Sequence, residues 1–63
     1  MFTEALRLLK EDKRVARKSW NYYIVLVHPK NEYKAFIQKV ENGKKSPWYP
    51  DIDDILAEDW IEV

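Results

Sequence analysis

Arg17-Lys18-Ser19-Trp20-Asn21 sets two cations, a hydroxyl, a flat indole and an amide in five consecutive residues. Such a set can stack a planar base on the ring and neutralise phosphate with the cations. The same Trp20 would equally suit a subunit interface, and both readings stay open. A second run lies near the carboxyl end, where Trp48 stands between Pro47 and Pro50 and Asp51, Asp53 and Asp54 follow. Trp48 divides evenly between core and site. The carboxylates suit a hard cation such as Mg²⁺ or Ca²⁺. However, the loop lacks the glycine and ligand spacing of a calcium loop, and helix capping accounts for them better.

Other chemistries find little material. Nucleophilic catalysis needs Ser, Cys or Thr beside a base and an orienter. Ser19, Ser46 and Thr3 are present, but His28 is the single histidine and no elbow motif surrounds either serine. His28 reads as the end of a strand. Gly43 is the one glycine, so there is no glycine-rich phosphate loop. Without cysteine there is no disulfide or thiolate metal site. The expectation is a protein without catalytic residues, metal or cofactor.

The elements that must position Trp20 and Trp48 follow from pattern. Phe2, Ala5, Leu6 and Leu9 recur at helical spacing and predict a helix over about residues 3–11, with Thr3 as N-cap and Glu4 in its first turn. Arg14 to Lys18 reads as a short strand leading into a turn at Ser19-Trp20-Asn21. Tyr22 to Val27 is the clearest strand. Both its faces are apolar, which predicts a central strand covered by the helix on one side and by another subunit on the other. His28 to Glu32 is a loop, and Tyr33 to Val40 a strand nearer the edge. Asn42-Gly43 is a strong hairpin signal. The returning strand runs from Lys44 to Trp48, and Pro47 confines it to an edge. Asp51-x-x-Asp54 predicts a cap for a short helix over Ile52 to Ala57. Trp60 to Val63 would close the sheet, with Trp60 in the core. The fold class is α+β: an N-terminal helix on a small antiparallel sheet of three to five strands, with a short C-terminal helix, as an oligomer.

The chain has 63 residues and reads as one domain. At this size folding buries only roughly 60% of the unfolded surface, so a partner subunit is the expected staple. Net charge is zero but segregated: residues 1–47 carry all eleven cations, and residues 48–63 carry six carboxylates and no cation. Tail and body are expected to neutralise each other within the fold or between subunits. The alternative is a basic patch left to hold an anionic ligand. No apolar run reaches the roughly 20 residues of a membrane span, and the amino terminus shows no signal-peptide pattern. The expectation is a soluble cytosolic protein. No helix concentrates Lys and Arg and no RNP-like aromatic motif appears, so general nucleic-acid binding is not expected.

Phe2-x-x-Ala5-Leu6-x-x-Leu9-Lys10, Val15-Ala16-Arg17-Lys18-Ser19-Trp20-Asn21, Trp48 and Asp54-Ile55-Leu56-Ala57-Glu58-Asp59-Trp60 occur in that order. In this the chain resembles the second type of Thoeris anti-defence protein, a family of phages and prophages. The likeness is carried by about residues 2–27 and 46–63. It implies a small homo-oligomer, dimer or tetramer, acting in the cytoplasm of the bacterial host. Such proteins hold a cyclic ADP-ribose isomer, made by a TIR-domain immune enzyme, in pockets at subunit interfaces without degrading it. Some relatives hold cyclic oligonucleotides, and some are described as anti-CRISPR proteins. The resemblance further implies ligand-binding roles. Trp20 would stack on adenine or face the ribose, Asn21 would bond a sugar hydroxyl, and Arg17 and Lys18 would meet the pyrophosphate. Asp54 would accept from a ribose or amino group, and Trp48 is the aromatic before the final helix. The chain departs from the family pattern at Ser19, where glycine is common, in its compact middle segment, and at Asp51-Ile52-Asp53.

Overall fold

The computed structural model describes residues 1–30 and 34–63. Helix α1 spans Phe2–Lys10. Strands β1 (Val15–Arg17), β2 (Tyr23–Val27), β3 (Phe36–Glu41) and β4 (Lys44–Pro47) follow, then helix α2 (Ile52–Leu56) and strand β5 (Trp60–Glu62). The strands form one sheet in the order β4-β3-β2-β1-β5, every pairing antiparallel. The expected helix on a small antiparallel sheet is therefore present, with five strands.

The amphipathic stripe of α1 buries Phe2, Ala5 and Leu9 against Val15, Ile24, Ala57 and Trp60. Each large side chain buried this way stabilises the fold by roughly 1.5–3 kcal/mol. Two sequence expectations for this helix are corrected. The N-cap is Met1 with no side-chain hydrogen bond, not Thr3. Starting one residue early puts Phe2 inside the helix, where its ring packs 5.8 Å from Trp48 and 5.3 Å from Trp60. Leu6 is 38% exposed rather than buried. The buried arc centres between Ala5 and Leu9, which brings Leu8 against the core and leaves Leu6 at the margin.

α1 ends in a Schellman arrangement. Lys13 N–H donates to Leu8 C=O at 3.1 Å, and Asp12 N–H to Leu9 C=O at 3.0 Å. Asp12 takes the left-handed position with φ of 60°. The β3–β4 hairpin turns on Asn42 and Gly43 with φ of 51° and 79°, the two positive values a type I′ turn requires. β4 is an edge strand, as Pro47 demands. The ladder continues one residue past it, since Trp48 N–H donates to Ile37 C=O at 2.9 Å. Asn31, Glu32 and Tyr33, part of the expected loop and strand start, lie outside the described residues.

Alternation along β2 gives the sheet two faces. Ile24 is fully buried under α1, with Leu26 and Ile37 packed beside it. Tyr23, Val25 and Val27 point the other way and are half-buried. Their cross-strand partners are Val40, Gln38 and Phe36. Among the described residues no helix or strand crosses this second face. Within one copy the central strand is covered by α1 on one side, the side the apolar pattern assigned to the helix. No helix among the described residues is long and apolar enough to cross a membrane.

Candidate functional site

Arg17 closes β1, and the chain turns at once: Trp20 N–H donates to Arg17 C=O at 3.0 Å. This turn delivers the Trp20 indole to the end of the sheet. There it meets Trp60 at 5.2 Å and Trp48 at 5.8 Å between ring centres, both edge to face. Tyr22 stacks on Trp20 at 4.4 Å and 20°. Edge-to-face and offset-stacked geometries suit the ring quadrupoles, and each pair is worth about 0.5–1.5 kcal/mol beyond its buried area. The ammonium of Lys39, a β3 residue, sits 4.4 Å from the Tyr22 ring centre. A continuous array of rings, ended by a cation, thus runs along one end of the sheet.

Beneath the array lies an ionic knot. Arg17 Nε donates to Asp59 Oδ1 at 3.0 Å, and Nη1 to Asp54 Oδ1 at 3.3 Å. These bonds, the Asp59 one foremost, raise the guanidinium's pKa above its ordinary value against the opposing effect of desolvation. Asp54 is also the N3 residue of a reciprocal capping box. Its Oδ2 accepts from Asp51 N–H at 3.1 Å, and its own N–H donates to Asp51 Oδ1 at 3.0 Å. The Trp60 indole N–H donates to Asp54 C=O at 3.1 Å. Asp51 and Asp54 thus cap α2, as the spacing suggested. The tail's carboxylates also meet the body's cations, Asp54 and Asp59 at Arg17 and Glu62 at Lys13.

Ala16, Trp20, Asn21, Tyr22, Tyr23 and Val63 line an open depression of about 300 Å³. That volume is at the low end of small-molecule sites. Burial pushes the Tyr22 phenol's pKa up, with Lys39 partly opposing it. Of the six residues singled out from sequence, Trp20 and Asn21 share this depression. Trp48 touches Trp20 by its ring. Arg17 and Asp54 are joined to each other. Lys18 is exposed, with its backbone N–H held by Asp59 C=O at 3.1 Å. Sequence reasoning missed Tyr22 as the stacking partner, Lys39 as the cation over it and Asp59 as the main partner of Arg17. The Trp20-x-Tyr22 spacing was a usable signal for the first. Nothing local signalled the other two.

These rings, the knot and the depression are framed by a small α+β domain, and a comparison with known protein families identifies it. The Tad2-like family, described as the Thoeris anti-defense 2-like domain, matches residues 1–63, the whole chain. The chain belongs to this family, and that membership supports a Thoeris anti-defence role. A search of curated proteins finds no match.

Proposed function

We propose that the protein is a sponge. It binds a cyclic nucleotide immune signal, a cyclic ADP-ribose isomer, at a subunit interface in the cytoplasm of the bacterial host and does not cleave it. The observation that carries this reading is the depression in which Trp20 and Asn21 stand beside two tyrosines, in a chain that belongs to an anti-defence family throughout. In this reading Trp20 offers its ring to the base and Asn21 an amide to a ribose hydroxyl. Lys18 is the exposed cation of the turn. Arg17 meets phosphate only with the edge of its guanidinium that Asp54 and Asp59 leave free. Asp54 orients Arg17, and Trp48 backs Trp20. The side chains of the lining are rings, an amide and aliphatic groups, with no carboxylate or imidazole among them to act as a general base. That composition suits retention rather than turnover. A depression open on one side also suits completion by a second copy.

Calorimetry with cyclic ADP-ribose isomers and cyclic oligonucleotides tests the reading. Saturable binding is expected, with the ligand recovered intact after heat denaturation. Trp20→Ala should abolish it, but Trp20 also packs against the core. Exposed Asn21 supplies the cleaner variant, and Asn21→Ala should weaken binding by about tenfold, the worth of one hydrogen bond in a desolvated site. Failure to bind any of these nucleotides, or recovery of a cleaved product, defeats the proposal.

One surface favours a second reading, a protein-binding inhibitor of a host defence system. Tyr49, Ile52 and Leu56 are 81%, 67% and 57% exposed around α2, a helix that buries none of its residues. A stable host protein captured from lysate, with no small molecule released on denaturation, would select it over the sponge.

A further inference from the structure

The β3–β4 hairpin carries a groove of about 440 Å³ between Lys39, Lys44 and Lys45, with Asn42 and Ser46 as neutral donors and Glu41 as its one carboxylate. The register explains the convergence. Lys39 lies opposite Ser46, and Glu41 opposite Lys44, so these four share one face of the hairpin. Lys45 enters from the other face at the same open edge. Glu41 is occupied by Lys39, 3.1 Å away. Among the described residues no carboxylate lies within ion-pair distance of Lys44 or Lys45. The groove therefore keeps a local excess of two positive charges. The type I′ turn holds its walls in place before any ligand arrives.

This contrasts with the Trp20 turn, where the strongest cation is already spent. Arg17 is held by two carboxylates, while among the described residues Lys44 and Lys45 have none within ion-pair distance. Ammonium groups with nearby hydroxyl and amide donors suit phosphate oxygens, which take several charge-assisted hydrogen bonds at once. The volume exceeds what a single phosphate fills.

We propose that the hairpin groove is an anion site for ligands bearing two or more phosphate charges, with Lys44 and Lys45 as its charge donors and Ser46 and Asn42 completing it. It is separate from the Trp20 depression, and the two meet where Lys39 covers the Tyr22 ring.

The probe is inorganic pyrophosphate, titrated into the full chain and followed by heteronuclear NMR at constant ionic strength. Backbone amides from Asn42 to Ser46 should shift saturably, and adenosine, which has no phosphate, should leave them unmoved. Lys44 and Lys45 are exposed, so Lys44→Gln with Lys45→Gln should fold as the parent does. It should lose about tenfold in pyrophosphate affinity, the effect of removing two solvent-exposed charge-assisted contacts. Shifts that do not saturate, that follow potassium chloride equally, or that centre on Arg17 and Lys18 overturn the proposal. Undiminished affinity in the double variant does the same. The sponge reading is scored separately, because cyclic nucleotide binding at the depression is read from Trp20 and Asn21.

Discussion

Asp54 gathers more polar contacts than any other side chain of the tail. It caps α2, anchors Arg17 and, through its carbonyl, receives the Trp60 indole. Its side chain is 13% exposed, so water replaces little of what a substitution removes. Asp51→Ala deletes only one arm of the capping box and should cost about 1 kcal/mol in urea unfolding. Asp54→Ala deletes the other arm and also leaves Arg17 with Asp59 alone. It should be the more destabilising of the two, and equal midpoints would show that the Arg17 pair contributes nothing. Tyr22 gives a pH prediction. Its pKa is raised above the ordinary 10.0, chiefly by burial in the Trp20 stack. A raised folded-state value means the folded chain holds the proton more tightly than the unfolded one. The associated stability is complete below pH 10.0 and is lost as pH rises through the folded value. Absorbance titration should show a phenol ionising above the ordinary tyrosine value, and Tyr22→Phe should remove that late phase.

At the scale of elements, α1 ends on a residue poorly suited to its place. Asp12 holds φ of 60°, a conformation that glycine adopts without strain. Asp12→Gly should raise stability by about 0.5–1 kcal/mol. It does remove an exposed contact of 3.4 Å with His28, which contributes little at the surface. A thermal midpoint that falls instead would show that contact to matter. This corner also shows what could be read from the chain. Asn42-Gly43, Pro47 and Asp51-x-x-Asp54 were legible because their causes are local: positive φ, a missing donor, a reciprocal cap. Thr3 misled because the start of α1 is decided by where the Phe2 ring must go, at Trp48 and Trp60. Leu6 misled for the same reason, since the buried arc is chosen by the sheet. At the site, Trp20 and Asn21 were legible as neighbours in a turn. The engagement of Arg17 was not, because its partners lie 37 and 42 residues away.

For the whole molecule, the open face of the sheet carries the largest consequence. Tyr23, Val25, Val27, Phe36 and Val40 share it, each half-buried or exposed, and among the described residues no helix or strand lies across them; only the Arg14 guanidinium reaches over, 5.3 Å from the Tyr23 ring centre. A standard interface takes about 800 Å² from each partner. That is roughly a sixth of this chain's 4840 Å², which a small domain with one thin core gains by pairing. A second copy laid on this face would cover β2 on both sides and match its uninterrupted apolar sequence. Light scattering at micromolar concentration should therefore give at least a dimer mass. Val25→Glu, at the centre of the face, should return it to a monomer with an unchanged far-ultraviolet spectrum. Phe36→Glu offers a check at a site already 39% exposed, where the fold tolerates charge more readily. The thermal midpoint of the parent should rise with protein concentration, because association stabilises only the folded chain. That of the two charged variants should not. A monomer mass for the parent, or a midpoint indifferent to concentration, would leave β2 covered once in solution. The apolar outer row would then need another partner to explain it.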